Sequence, residues 1–234
     1  MKDAPSRQSF VARYVVPVTY RLATAFARVA VRIYFPRLAV SGLEHVPRQG
    51  PVIIAPNHLN NLDPCLLFAI LPRRGVFLAH RGLFDVAPSA LLMTLVGAVP
   101  VRNEGIDIEA LRGARQALAR GLAVVAFPEG ERSRTGALVE GQAGAALLAL
   151  RGSVPIVPVA ISGTGPVGWP WVFARPFLGP RISVHFGEPF TLAGGDERGA
   201  RAARAGIDVI MRRIAALLPP ERRGAYGDAG APSI

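Results

Sequence analysis

Short apolar runs alternate with longer amphipathic stretches through most of this chain. Runs at 38–40, 52–55, 76–79, 123–127, 156–161 and 182–186 have the length of buried strands and end in Gly, Pro or polar residues. Between them, stretches at 64–70, 90–95, 108–120, 142–150 and 198–217 read as helices. That alternation predicts an α/β sandwich, a largely parallel sheet flanked by helices over residues 38–218. Functional loops should then follow the strand ends. Residues 219–234, opening Pro-Pro-Glu-Arg-Arg-Gly, predict a flexible tail.

Residues 1–37 carry a different pattern, with arginines interleaved among Val, Leu, Phe and Tyr. Seven of the 27 basic residues and one of the 16 acidic residues lie in positions 1–40, which places six of the eleven net positive charges there. On a helix, Arg21, Arg28 and Arg32 fall within about 100° of Arg13 and form one basic stripe, and the remaining face is apolar. Pro17 is expected to bend or divide the segment. The run lacks the 18 or so uncharged residues of a spanning helix. A basic amphipathic segment docking in the interface of an anionic bilayer fits the pattern; a helix packed on the domain with solvated arginines fits it too. The uncharged stretch 152–174 is interrupted by Pro155, Pro158, Pro166 and Pro170, so it is no single helix.

Composition narrows the partners. Of 234 residues half are hydrophobic and only 18% charged, and the mean hydropathy is +0.32, so a sizeable core can form. The net charge of +11 favours a polyanion, whether nucleic acid, acidic membrane or phosphorylated substrate. No nucleic-acid module, phosphate-binding P-loop, G-x-G-x-x-G or zinc spacing is present. The one cysteine, Cys65, precludes an intramolecular disulfide and suits a reducing compartment. No secretory signal is expected.

Four clusters at strand ends carry the candidate chemistry. After the run 52–55 comes Asn57-His58-Leu59-Asn60-Asn61-Leu62-Asp63-Pro64. On a continuous helix His58 and Asp63 would point about 140° apart, but a turn at Asn60-Asn61 can bring them together. Asp63-Pro64 would be N-cap and first helical residue. The Asp63 carboxylate could then hold one ring nitrogen of His58 and leave the other to take a proton from a hydroxyl. Plain helix capping accounts for Asp63 equally well. The second cluster, Gly97-Ala98-Val99-Pro100-Val101-Arg102, delivers Arg102 at a strand end. The third, Phe127-Pro128-Glu129-Gly130-Glu131-Arg132-Ser133-Arg134, sets arginines beside a glycine turn, as a phosphate cradle needs, or as a polar turn with internal ion pairs. The fourth, Val154-Pro155-Ile156-Val157-Pro158-Val159, suits a strand lining a pocket or a sheet edge.

In order and spacing these clusters resemble the four motifs of the glycerolipid acyltransferases, the 1-acyl-sn-glycerol-3-phosphate (lysophosphatidic acid) acyltransferase family. His58 and Asp63 match H-x4-D, Arg102 the arginine closing the second motif, 127–133 the F-P-E-G-x-R-S third, and 154–158 the proline-bearing fourth. The resemblance spans about residues 38–190, and the basic N-terminal segment is similar to the membrane-docking helices of bacterial members. It implies His58 as general base with Asp63 behind it, Arg102, Glu129, Gly130 and Arg132 at the acceptor head group, and an acyl thioester of coenzyme A or acyl carrier protein as donor. The implied acceptor is a lysophospholipid, most directly 1-acyl-sn-glycerol-3-phosphate. No metal and no further cofactor is expected, because a thiolate leaves without one. The implied location is peripheral, on the cytoplasmic face of the inner or plasma membrane.

Two positions depart from the pattern: Glu131 where the third motif usually has Thr, and Val101 where the second commonly has a polar or acidic residue. Both bear on the acceptor. Cys65, beside Leu66 and Leu67 in the first turn of a helix, reads as a buried thiol rather than a covalent nucleophile. Hydrolysis of a thioester or lipid would leave the arginine clusters without a purpose, and a non-catalytic lipid-binding scaffold would not need both His58 and Asp63. A transferase for another lysolipid remains open.

Overall fold

Strand β2, Val52–Pro56, is buried along its whole length. Val52 and Ile54 face one apolar layer while Ile53 and Ala55 face another, so the sheet is covered on both sides. The computed structural model describes residues 16–80, 85, 98–101, 107–165, 181–192 and 199–227. Among these, β1 (Leu38–Ser41), β2, β3 (Gly75–His80), β4 (Val99–Val101), β5 (Ala123–Val125), β6 (Ile156–Ser162) and β7 (Ile182–Phe186) form one sheet in the order β1-β7-β6-β2-β5-β3-β4. Strands β6, β2, β5, β3 and β4 are parallel, and the β7–β1 pair runs the opposite way.

Helices α1 (Val16–Tyr34) and α2 (Asp63–Ile70) cover the face of Val52, with Tyr20, Phe35, Leu66, Leu67 and Phe68 filling the layer. Helices α3 (Ile108–Ala119), α4 (Gly144–Leu150) and α5 (Ala200–Ala216) cover the other, through Ala114, Leu118, Ala146, Ile207, Met211 and Ile214. The result is the three-layer α/β arrangement that the alternating pattern predicts. The helix expected at 90–95 lies outside the described residues, as do positions 1–15.

Three expectations are corrected; the bend expected at Pro17 turns on residues 1–15, which lie outside the described residues. Strand β6 is central rather than an edge. Its Pro158 carbonyl accepts from the Gly187 N–H at 2.8 Å, one residue beyond the end of β7, so the absent proline N–H falls where that ladder has already stopped. The supposed tail is ordered as far as residue 227: Tyr226 is buried, and the Leu138 N–H and C=O bond the Arg222 carbonyl and the Ala225 N–H. Arg28 does not belong wholly to a free basic stripe. Its Nε and Nη2 donate to the Ala69 and Leu71 carbonyls at 2.9 and 3.4 Å, satisfying C-terminal carbonyls of α2.

The face of α1 turned away from α2 is apolar and unburied: Val18, Leu22, Phe26, Val29 and Ile33 are exposed, Phe26 by 76%. They recur at helical spacing and form one stripe along the helix.

Candidate active site

The carboxyl end of β2 delivers the chain to Asn57, whose side chain is buried and paired with the backbone of β6. Its Oδ1 accepts the Ile161 N–H at 2.6 Å and its Nδ2 donates to the Ile161 carbonyl at 3.0 Å. The loop therefore starts from a fixed point. Asn60 makes the expected turn: its Oδ1 accepts the Leu62 N–H at 3.1 Å and its carbonyl the Asp63 N–H at 3.0 Å, an Asx turn.

The turn brings Asp63 back to His58, with Asp63 Oδ2 2.9 Å from His58 Nδ1. The same oxygen accepts the Leu59 and Asn60 N–H groups, each at 2.7 Å. Asp63 is fully buried and is the first residue of α2, not its N-cap, a position held by Leu62. This corrects the capping reading: the carboxylate turns back into the loop rather than forward onto its own helix. With Nδ1 committed, Nε2 is the nitrogen of His58 open to a substrate hydroxyl, and the ring stays partly accessible at 15%.

A second loop, leaving β5, locks the first from above. Glu129 Oε1 accepts the His58 N–H at 2.7 Å and Oε2 the Val139 N–H at 3.0 Å. The Ser133 N–H donates to the His58 carbonyl at 2.8 Å, and the Phe127 ring lies 4.2 Å from the imidazole, centroid to centroid. Both backbone groups of the histidine are thus held by the neighbouring loop. Glu129 is 2% exposed. Burial pushes its carboxyl up to about 7, against the pull of its two backbone hydrogen bonds.

These contacts divide the head-group residues. Glu129 has each oxygen bonded to a backbone donor, so it positions the histidine loop. Gly130 has φ of +72°, and a Cβ there would come within 3.0 Å of Gln142; it is the turn residue whose conformation the loop requires. Arg132 is exposed, between the anchored Glu129 and Ser133. Glu131 is also exposed and forms no ion pair with Arg132 or Arg134. Arg102 lies outside the described residues, directly after β4. Cys65 sits in the first turn of α2, where burial and then the Asp63 carboxylate push its thiol up, opposite to what a nucleophilic cysteine needs. Asn57, Phe127 and Ser133 had no role assigned from sequence. Their adjacency to His58, in the chain for Asn57 and across the motif order for the others, is the signal that could have found them.

A His–Asp pair on a loop at the carboxyl end of a strand in a mostly parallel sheet, held by an arginine-bearing loop, is an α/β arrangement able to take a proton from a substrate hydroxyl. The chain belongs to the acyltransferase family, whose model matches residues 37–162, more than half of it. It is 32% identical over 133 residues to human 1-acyl-sn-glycerol-3-phosphate acyltransferase alpha, covering 56% of this chain and 47% of that one. Against the chloroplastic 1-acyl-sn-glycerol-3-phosphate acyltransferase of Arabidopsis thaliana it is 30% identical over 142 residues, 59% of this chain and 40% of the other. The chain thus spans less than half the length of these relatives. The crystal structure of the 1-acyl-sn-glycerophosphate (LPA) acyltransferase PlsC from Thermotoga maritima shares the fold, with a TM-score of 0.65 at 23% identity over 93% of this chain and 83% of that one.

Proposed function

We propose that this protein moves a fatty acyl group from an acyl thioester to the hydroxyl of a lysophospholipid, with 1-acyl-sn-glycerol-3-phosphate as acceptor. The observation that carries the reading is Asp63 Oδ2, which gathers His58 Nδ1 and two backbone donors and so presents Nε2 as a base. Nε2 takes the acceptor proton as the oxygen attacks the thioester carbonyl. Asp63 stabilises the imidazolium that forms. Collapse of the adduct breaks the C–S bond, and the proton passes from His58 to the departing thiolate. Coenzyme A or acyl carrier protein supplies that thiol, and the chemistry asks for no metal or further cofactor. Arg102 and Arg132 serve the acceptor phosphate. The names of the relatives support the choice of acceptor.

The exposed stripe of α1 supports peripheral docking on an anionic membrane, on the cytoplasmic side where thioester donors are made. Among the described residues no helix is long and apolar enough to cross a bilayer.

Free-thiol release from acyl-coenzyme A tests the reaction. Release that depends on added 1-acyl-sn-glycerol-3-phosphate is expected, with at least about 10²-fold lost in His58→Ala. Acceptor-independent release would make the protein a hydrolase and overturn the proposal.

A further inference from the structure

A second concentration of cations lies away from the base. Helix α2 runs about 12 Å from Asp63 to Ile70, and the chain then turns through Leu71-Pro72-Arg73-Arg74 into β3. Helix α1 packs beside this turn. Between them is a cavity of about 490 Å³ lined by Tyr20, Arg21, Thr24, Arg28, Arg73 and Arg74, together with Ala25, Leu71 and Pro72, and by no carboxylate.

The four arginines divide in two. Arg73 is committed to structure, donating to the Pro47, Gly50 and Gly121 carbonyls, and Arg28 to the end of α2. Arg21 and Arg74 make no hydrogen bond or ion pair among the described residues. Arg74 lies over the Tyr20 ring at 5.3 Å, and its Nε is buried without a partner, which is uncommon for a buried donor. Four positive charges around one cavity repel one another, and an anion seated among them would relieve that repulsion.

The position of the cavity on α1 selects the anion. At 100° per residue Arg21 and Arg28 adjoin Ala25, and Ala25 adjoins the exposed stripe of Val18, Leu22, Phe26, Val29 and Ile33. A stripe buried in the acyl layer would hold this arginine edge at the level of the lipid phosphates. We infer that the cavity between α1 and the 71–74 turn binds the phosphate of an anionic phospholipid, Arg21 and Arg74 supplying the free donors and Arg28 and Arg73 the fixed charge. The inference rests on the docking of α1 proposed above, and adds to it a discrete headgroup site distinct from the acceptor's.

The test uses the full chain and equimolar phosphatidylcholine–phosphatidylglycerol vesicles at physiological salt. Arg74→Gln should weaken partitioning about fivefold and Arg21→Glu, which reverses an exposed charge without disturbing packing, about 30-fold. Arg115→Glu, on α3 across the sheet, should change it less than about twofold. Monomeric dihexanoyl-phosphatidylglycerol should bind wild type saturably and Arg74→Gln weakly; inorganic phosphate binding as tightly would overturn the lipid assignment. Equal losses in all three variants would reduce the site to general surface charge and refute it. Unchanged partitioning of the cavity variants, with loss in Leu22→Ser/Phe26→Ser, would refute the site and leave membrane docking standing. If the Leu22→Ser/Phe26→Ser chain also binds normally, docking itself fails. A raised thioester KM with normal vesicle binding would reassign the cavity to the donor's phosphates.

Discussion

Asp63→Asn separates what the carboxylate does by charge from what it does by geometry. In an isolated His–Asp pair an amide can rotate, present its NH2 to the imidazole and impose the wrong tautomer. Here Oδ2 also accepts the Leu59 and Asn60 N–H groups at 2.7 Å, and an NH2 turned toward those donors would face two N–H groups with another. The amide oxygen is therefore held in place, and Nδ1–H of His58 keeps its acceptor. What disappears is the negative charge facing the imidazolium. At about 4 Å and an effective dielectric of about 20, that interaction is about 4 kcal/mol, so turnover should fall about 10²- to 10³-fold. Stability falls too. Two hydrogen bonds to a charged acceptor become neutral ones, losing about 1 kcal/mol each, and the new NH2 replaces Oδ1, which is buried without a partner. Together these amount to about 3–5 kcal/mol, read by urea denaturation, with activity expressed per folded molecule. In a His58→Ala background the same substitution should change turnover no further, because Asp63 acts only through the histidine. Wild-type turnover in Asp63→Asn, or an additional loss beside His58→Ala, would refute this division of roles.

Glu129 should leave a pH signature in stability. Its carboxyl is raised from 4.5 to about 7, so its favourable contribution is complete below about pH 4.5 and is lost as pH rises through about 7. Relative to wild type, Glu129→Gln should gain about 3 kcal/mol in urea-unfolding free energy between about pH 5 and pH 8; parallel curves would show that Glu129 is not raised. Arg132→Ala should raise the acceptor KM by about tenfold or more, the worth of a hydrogen bond to a charged group, with the donor KM little changed. A rise in donor KM instead would move Arg132 to the thioester.

What could be read from sequence is what depends on neighbours in the chain. Strand β2 is apolar at every position from 52 to 55, which is how a strand buried on both faces must look, and the Asn60-Asn61 turn encodes the return of Asp63 within five residues. The errors fall where a distant partner decides. Asp63 before Pro64 looks like a cap, and only the folded loop shows the Leu59 and Asn60 N–H groups waiting for its oxygen. Proline in a strand argues for an edge unless the neighbouring strand happens to end beside it, as β7 does at Phe186 beside Pro158. The segment after Pro219 looks like a tail because nothing nearby reports that Tyr226 OH will accept the Gly141 N–H at 3.1 Å. Glu129, a charged residue in a polar turn, gives no local sign that it will be buried.

The interlocking of the two loops explains why the motifs occur together. A general base gains from being held where the proton will be, and a loop histidine has a mobile backbone as well as a mobile ring. Asp63 fixes the ring, while Glu129 takes the backbone N–H and Ser133 bonds the carbonyl. Arg132 stands between those two anchors. Under the proposed function, the contacts that hold His58 therefore also set the distance from Nε2 to Arg132. Disturbing Glu129 or Ser133 moves both ends of that ruler together, whereas disturbing Arg132 removes only one. Variants at the anchors should accordingly change turnover and acceptor KM in concert, and variants at Arg132 chiefly the KM. Coupling of this kind requires the proline-glycine turn at 128–130 as much as the charged residues around it, because Gly130 adopts the left-handed conformation on which the path of the chain from Glu129 to Ser133 depends.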